Sequence, residues 1–283
     1  MNIQWYPGHM TKARRMMQED MKLIDLVIEL VDARIPYSSR NPDIDTLAGG
    51  KSRVLLLNKA DLADGKKNQL WAQYYRNEGF FVLEMNSKTR NGMKQLGELV
   101  REACREKIDR DRRRGIKNRP IRAMVVGIPN VGKSTFINSF VGRSLTKTGN
   151  RPGVTKGKQW IRVSRELELL DTPGILWPKF EDEAVGQRLA YIGSINDEIL
   201  QTQELAYHLI LFLQQEYPQA LEERYQITAG TEAADVLGEI CRRRGCYKKG
   251  TEPDYEKAAG LLLDEFRGGQ LGKMTLEIPG ESS

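Results

Sequence analysis

The chain has 283 residues, of which 40% are hydrophobic and 29% charged, which suits one large globular domain or two ordinary ones. Its longest apolar stretches, such as residues 209–213, fall far short of the roughly 20 residues that a membrane helix needs. Charged residues also begin too early for a secretory signal. We therefore expect no membrane contact, and an odd, sparse count of 3 cysteines favours the reducing cytoplasm.

Positive charge is in modest excess but is locally concentrated. Lys and Arg number 44 against 38 Asp and Glu, a net charge of +6. The basic residues cluster at Arg112–Arg114, at Lys156 and Lys158, and within residues 241–250. Clustered positive charge favours an anionic partner, most simply nucleic acid, although each cluster taken alone is also compatible with a solvated surface.

Taken in chain order, the apolar pattern alternates between helical and strand periods. Residues 9–22 repeat apolar side chains at helical spacing. Near-continuous apolar runs, typical of strands buried on both faces, lie at 24–32, 54–58, 80–84 and 121–127. Residues 158–163 and 166–171 resemble a hairpin pair. The alternation predicts an α/β fold built on a doubly wound, mostly parallel sheet.

Two changes of composition divide the chain. Residues 107–120 are highly charged, contain glycine and end in proline, which predicts a linker. After Trp177-Pro178 the strand signals stop, and from about residue 182 the pattern is helical. We expect one domain over residues 1–178 and an all-α domain over residues 179–283.

The segment GIPNVGKS at 127–134 matches the phosphate-binding pattern G-x-x-x-x-G-K-[ST] in its required context, between a strand and a helix. Lys133 would reach the β- and γ-phosphates and assist catalysis, and the Ser134 hydroxyl would ligate Mg²⁺. The phosphate contacts are expected from Asn130, Val131, Gly132, Lys133, Ser134 and Thr135. The helix N-terminus adds its positive dipole end.

Two further motifs complete the expected phosphate side. DTPG at 171–174 ends a strand, so Asp171 is expected in the Mg²⁺ shell and the Gly174 amide at the γ-phosphate. Thr155 lies among glycines in RPGVT and is the candidate switch threonine that ligates Mg²⁺ in the GTP state.

The motif NKAD at 58–61 also ends a strand and predicts recognition of guanine. Asp61 can accept from guanine N1–H and the 2-amino group, whereas adenine would leave the carboxylate unpaired. Asn58 can bond the Hoogsteen edge of the base and tie this loop to the phosphate loop. The stem of Lys59 can cover the ring, and Ala60 lies between these contacts.

The motifs stand in a rotated order. Asn86 and Ser87 in NSK resemble a second guanine loop, in which the Ser87 amide would reach guanine O6. Both base loops precede the phosphate loop, and DTPG comes last. Such rotation is feasible because the termini of a domain can lie close together, and the charged segment 107–120 would join the original ends.

This order, with WYPGHM at 5–10, VDARIPYSSRNP at 31–42, NKAD, GIPNVGKST and DTPGILWPKFED, resembles the circularly permuted GTPases of the YlqF/YawG type over nearly the whole chain. The resemblance implies a GTPase that promotes late assembly of the large (50S) ribosomal subunit. Such a protein would bind the immature subunit in its GTP form and would be released when the subunit stimulates GTP hydrolysis. It also implies a helical domain that contacts rRNA. We expect a cytoplasmic monomer whose partners are GTP or GDP and the subunit. The alternative is a non-catalytic, GTP-stabilised rRNA-binding chaperone.

The hydrolytic water lacks an obvious positioning group. Ile175 follows DTPG where Ras-type GTPases carry a glutamine. Three replacements stay open: His9, a K⁺ ion on Asn130, or a ribosomal group. The resemblance implies the water-positioning role for His9 and K⁺ ligation for Asn130, while a backbone-tied histidine at a helix start is the plainer interpretation of His9. We expect His208 to be a core or surface residue.

Overall fold

A computed structural model describes residues 9–116, 119–142, 159–172, 182–196, 201–228, 230–249 and 251–280. Helix α1 spans His9–Met21, and its side chains are described from Arg15 onward. The expectations for Thr155, Gly174, Ile175 and the His9 side chain lie outside the described residues.

Six strands form one sheet at the centre of the fold. They are β1 Leu26–Asp32, β2 Ser52–Asn58, β3 Phe81–Glu84, β4 Ile121–Gly127, β5 Gln159–Arg162 and β6 Leu167–Asp171. The order across the sheet is β3-β2-β1-β4-β6-β5. In the described part of the chain only β5 runs antiparallel to its neighbour. The doubly wound, mostly parallel sheet predicted from the sequence is confirmed, as is the β5–β6 hairpin.

Among the described residues, ten further α-helices flank the sheet or follow it. They are α2 Asp43–Leu47, α3 Gly65–Asn77, α4 Met93–Ala103, α5 Arg105–Arg113, α6 Lys133–Val141, α7 Glu183–Tyr191, α8 Thr202–Glu216, α9 Gln219–Tyr225, α10 Ala233–Arg244 and α11 Tyr255–Gly268. The last five give residues 183–268 the helical character that the sequence predicts. Among the described residues, no helix is both long and apolar enough to cross a membrane.

Strand β1 lies at the centre of the hydrophobic core. All seven of its residues are buried, which explains its continuous apolar run. It pairs with β2 on one side, Leu26 opposite Ser52, and with β4 on the other, Leu26 opposite Ala123. The sheet is therefore continuous across the point where the motif order is rotated. The same buried cluster extends into α8 and α11, so the sheet and the helical region share one core.

The charged segment at 107–120, expected to be a linker, is helical in its first part. Helix α5 continues through Arg113 and leaves only a short connection to β4. Lys and Arg are good helix formers, and Lys107 forms an i,i+4 ion pair with Asp111. Gly115 then adopts a φ of +75°, a left-handed conformation that glycine adopts without strain and that ends the helix.

The C-terminal segment 271–280 forms neither helix nor strand and returns to the sheet domain. The Leu276 amide donates to the Arg34 carbonyl at 2.8 Å, and Trp71 Nε1 donates to the Glu277 carbonyl at 3.0 Å. The buried Glu277 carboxylate accepts from the amides of Tyr37 at 2.7 Å and Ser38 at 3.0 Å. Residues that the sequence assigned to a separate helical domain thus complete the surface of the other one.

Replacing Glu277 by Ala should lower the free energy of unfolding by about 3 kcal/mol, because buried amide donors lose a charged acceptor. Urea denaturation measures the change through a lower midpoint at an unchanged slope. Glu252→Ala is the matched control, since the exposed pair of Glu252 with Lys248 should contribute less than about 1 kcal/mol. Equal effects of the two substitutions would contradict a structural role for the returning segment.

Candidate nucleotide-binding site

The carboxyl ends of four parallel strands meet at one edge of the sheet. These ends are Asp32 of β1, Asn58 of β2, Gly127 of β4 and Asp171 of β6. Asp32 and Asn58 are direct register partners, and Gly127 is the partner of Leu30. Ligands of open α/β sheets bind at this edge, so the fold brings NKAD, the phosphate loop and the start of DTPG together.

The phosphate loop has the backbone that its glycines predict. Gly132 precedes α6 with a φ of +100°, and a Cβ there would lie 2.6 Å from Asn58 Nδ2. A Cβ on Gly127 would lie 2.7 Å from the Leu30 carbonyl oxygen. Both positions therefore require glycine. The loop passes close to the neighbouring strands and leads into the N-terminus of α6, where backbone amides can bind a phosphate.

Lys133 is buried at the first position of α6, and its ammonium donates to the Gly127 carbonyl at 3.3 Å. Burial lowers the pKa of Lys133 to about 8, although the nearby Asp171 carboxylate opposes the shift. An ammonium held by one carbonyl in a buried loop is a weakly satisfied charge. It is thus available to an anion that enters the loop.

Both carboxylate oxygens of Asp171 are buried, and neither has a hydrogen-bond partner among the described residues. Burial raises its pKa to about 6, with the Lys133 charge acting in the opposite direction. The next residue, Thr172, turns its hydroxyl away to the Val125 carbonyl at 2.8 Å. Orphaned buried carboxylate oxygens beside a phosphate loop fit the shell of a hard cation such as Mg²⁺, so these residues suit the metal that the sequence predicts.

Asn58 joins three segments through one carboxamide. Its Nδ2 donates to the Val131 carbonyl at 2.8 Å, and its Oδ1 accepts from the amide and hydroxyl of Ser87 at 3.1 and 2.8 Å. The side chain therefore links NKAD to the phosphate loop and to the NSK loop. The three loops form one rigid constellation around the expected base.

The second base loop differs from the sequence expectation in its amides. The Ser87 amide, expected at guanine O6, donates to Asn58 Oδ1 at 3.1 Å, an acceptor that the sequence pattern did not indicate. Asn86 Oδ1 accepts from the amides of Lys88 and Thr89 at 2.8 and 3.2 Å. Asn86 thus shapes the turn of the loop, and Ser87 is almost completely buried beneath it.

The turn after β2 and the first turn of α6 hold the remaining described residues expected at the nucleotide. Asp61 is exposed in a short 3₁₀ turn, Ala60–Leu62, so its carboxylate is accessible to a base. The Ala60 amide donates to the Met85 carbonyl at 3.1 Å and fixes that turn. Thr135, in the first turn of α6, is half-buried. His208 is a half-exposed residue of α8, with Nε2 3.9 Å from Glu204.

The sequence analysis did not identify two charged residues that lie behind NKAD, Asp32 and Arg34. Lys59 Nζ lies 2.9 Å from Asp32 Oδ2 and donates to the Asn130 carbonyl at 2.9 Å. Arg34 forms an ion pair with Asp32 at 2.8 Å. Burial alone would raise the pKa of Asp32, but the charges of Arg34 and Lys59 outweigh it and hold that pKa well below its usual range. The available signal was VDAR itself, a charged pair directly after a buried strand.

The helical region contacts the outer side of the phosphate loop. Asn130, with a φ of +59°, donates from Nδ2 to the Gly193 carbonyl. The Ser194 hydroxyl donates to the Pro129 carbonyl at 2.8 Å. The connection that follows α7 therefore holds the loop in which Asn130 was expected as a K⁺ ligand, and any cation contact of this side chain would come from its oxygen.

Replacing Asp171 by Asn should stabilise the protein in the absence of Mg²⁺ and nucleotide. The pKa of Asp171 is raised from 3.8 to about 6, so its ionisation opposes folding at neutral pH, and this penalty disappears as the pH falls below about 4. We expect a gain of about 2 kcal/mol in the free energy of unfolding at pH 7.5, with little gain at pH 4. Thermal denaturation at both pH values measures it, and destabilisation at pH 7.5 would contradict it.

Comparison with known proteins places this geometry in a family. A family model described as 50S ribosome-binding GTPase matches residues 122–237. The match begins in β4, the strand of the phosphate loop, and leaves both base loops upstream, in agreement with the rotated order. Two solved structures of YlqF from Thermotoga maritima, one GDP-bound and one GNP-bound, share 26% identity and a TM-score of 0.68 with this chain. They cover 94% and 96% of it, and 100% of their own chains.

Curated relatives match over the full length. Ribosome biogenesis GTPase A of Bacillus cereus is 50% identical over 282 residues, 99% of this chain and 95% of that protein. The Thermotoga maritima protein of the same name is 31% identical and covers 98% and 95%. Mitochondrial ribosome-associated GTPase 1 of Bos taurus is 33% identical and covers 96% and 88%. With full-length identity reaching one half and with the phosphate and base loops gathered at one sheet edge, this chain is a GTPase that belongs to the ribosome biogenesis GTPase A family.

Proposed function

We propose that this GTPase binds the immature large ribosomal subunit in its GTP form and leaves it when the subunit stimulates hydrolysis. Late assembly of the subunit would then proceed in the cytoplasm under the control of the nucleotide. The protein would act as a monomer, with the subunit's rRNA and ribosomal proteins as its macromolecular partners. The relatives' names, the contact between the phosphate loop and the helical region, and the charge of that region support this proposal.

The observation that carries the proposal is the direct contact of the phosphate loop with the helical region. Asn130 bonds Gly193, and Pro129 bonds Ser194. A phosphate-dependent change in this loop would therefore act on the connection after α7. The switch motif DTPG also leads directly into the helical region along the chain. Nucleotide-dependent rearrangement of one body against another is an established means of switching.

An exposed basic surface lies at the end of α10. It consists of Arg242, Arg243, Arg244, Lys248 and Lys249, all exposed. Its positive charges outnumber the acidic partners Glu239, Glu252 and Glu265. The ring of Tyr247 is exposed beside them. Cations around an accessible aromatic ring suit an RNA backbone and an unstacked base, which supports rRNA as the partner of the helical region.

Each group expected at the nucleotide has a proposed role. Lys133 would neutralise the β- and γ-phosphates, and the amides from Asn130 to Thr135 would hold the phosphate oxygens. Mg²⁺, when bound, would neutralise charge that develops on the phosphates, and Ser134, Thr155 and Asp171 would hold it. The Gly174 amide would sense the γ-phosphate. His9, a K⁺ ion at Asn130 and a ribosomal group stay the three candidates for orienting the attacking water.

Replacing Asp61 by Asn should change base preference. The Asp61 carboxylate would accept hydrogen bonds from guanine N1–H and from the 2-amino group. The asparagine side chain has only one acceptor oxygen, so its NH₂ group would lie against one of these donors. We expect GTP affinity to fall at least about a hundredfold and xanthosine triphosphate, which carries an oxygen at position 2, to bind more tightly than GTP. Calorimetric titration with both nucleotides measures the ratio. Unchanged preference would contradict the placement of the base at NKAD.

Replacing His9 by Ala tests how the water is positioned. If His9 orients it, single-turnover hydrolysis in K⁺ buffer with large subunits should slow by about 10²-fold or more, while GTP affinity and subunit binding stay unchanged. His208→Ala is the matched control, because the chain has only 2 histidines and His208 lies on α8, in the helical region.

The same assay separates the remaining alternatives. Equal stimulation of wild type and His9→Ala would contradict the role of His9, and a loss of stimulation when Na⁺ replaces K⁺ would then indicate the cation. If the protein needs GTP to bind the subunit but the subunit never accelerates hydrolysis, the non-catalytic, GTP-stabilised rRNA-binding chaperone is favoured over release by hydrolysis.

A further inference from the structure

Asp32 is a completely buried carboxylate with an unusually full set of partners. Its Oδ1 accepts from the Arg34 amide at 3.1 Å and from Arg34 Nε at 2.9 Å. Its Oδ2 lies 2.8 Å from Arg34 Nη2 and 2.9 Å from Lys59 Nζ. A buried carboxylate is tolerated when charged donors satisfy it in this way. The group is therefore a fixed negative charge directly behind the guanine loop.

The Lys59 ammonium is held between two elements of the site. One partner is Asp32 at the end of β1, and the other is the Asn130 carbonyl in the phosphate loop, at 2.9 Å. Lys59 itself has a φ of +58°, which is uncommon for a residue with a side chain. Lysine also loses much side-chain freedom when it is ordered. Two fixed acceptors restrict that freedom before the base arrives.

Arg34 fixes the carboxylate from the opposite side. Its bidentate contact sets the plane of the carboxylate. Its Nη1 donates to the carbonyls of Phe266 and Arg267 at 3.3 and 3.2 Å, at the end of α11. Because Arg34 is almost fully buried, this anchor is shielded from water. Asp32 is thus oriented by the core and does not depend on the nucleotide.

We propose that Asp32 is a positioning residue for guanine nucleotide binding, which acts by holding the Lys59 ammonium so that the lysine stem is preformed against the base. The inference rests on the proposed assignment of NKAD to guanine. Asp32 itself does not touch the nucleotide. It lowers the ordering cost of binding, which is the general effect of preorganisation.

The expected signature is a loss of affinity that depends on Lys59. Asp32→Asn should weaken GDP and GTP alike by about tenfold or more, because the lysine acts at the base and not at the γ-phosphate. The loss should therefore fall on affinity, with the single-turnover rate constant at saturating GTP reduced less than about twofold. In a Lys59→Met background, Asp32→Asn should cost less than about twofold further.

The experiment is a double-mutant cycle on the full chain, with affinities for GDP and GTP measured by calorimetric titration and melting temperatures measured in parallel. Glu29→Gln is the matched control. Glu29 is another buried carboxylate of β1, paired with Arg40 and Arg53, and lies nearer the amino end of the strand. Its replacement should lower the melting temperature while nucleotide affinity stays within about twofold of wild type.

Each outcome decides the matter. If Lys59→Met leaves affinity unchanged, the assignment of NKAD and the role of Asp32 both fall. If Lys59→Met weakens nucleotide binding but Asp32→Asn does not, the assignment of NKAD to guanine is kept and Asp32 has only a structural role. The same conclusion follows if Asp32→Asn lowers nucleotide affinity as much in the Lys59→Met background as in the wild type. If the Asp32→Asn protein does not fold, the cycle is repeated in an Arg34→Met background. That substitution removes the buried guanidinium that Asp32→Asn would leave unpaired, and the same criteria apply.

Discussion

The pairing of β1 with β2 on one side and β4 on the other is the constraint on which the site depends. In a parallel sheet a shift of register by one residue moves every side chain to the opposite face, and β1 is buried along its whole length. This register places Asp32 beside Asn58 and Leu30 beside Gly127. A chain whose motifs occur in rotated order therefore still assembles them at one edge, because the sheet specifies neighbours in space and not in sequence.

Buried charges are compensated differently at the two ends of the expected nucleotide site. At the base end, Asp32 has charged partners on both oxygens, and Asn58 uses both ends of its carboxamide. At the phosphate end, Asp171 has no hydrogen-bond partner and Lys133 has a single carbonyl acceptor among the described residues. The expected base end is preformed, whereas the expected phosphate end carries poorly satisfied charges that a phosphate and a cation would balance. Proteins commonly retain such destabilised groups where function needs them.

Local patterns in the sequence were sufficient for the strands and for the glycine positions of the phosphate loop, because each depends on a few adjacent residues. They failed where two distant segments decide the outcome. The returning segment 271–280 has no periodic pattern, and its contacts with Arg34 and Trp71 cross more than 200 positions. The hydrogen bond from the Ser87 amide to Asn58 Oδ1 likewise joins residues that are 29 positions apart. The helix in the charged segment beginning at Lys107 was not expected, because composition alone does not separate a solvated helix from an irregular linker.

The connection after α7 shows how the nucleotide could influence the helical region. Arg267 donates to the carbonyls of Tyr191 and Ala190 at 3.0 and 2.9 Å, and a Cβ on Gly193 would lie 3.3 Å from its Nε. The connection is therefore held between α11 and the phosphate loop. A ligand shifts an equilibrium only through contacts that differ between two states. Both bonds join a side-chain donor of one segment to a backbone carbonyl of the other. A nucleotide-dependent displacement of the phosphate loop would therefore act first on these two bonds, and through them on the connection that leads to the region with the basic surface.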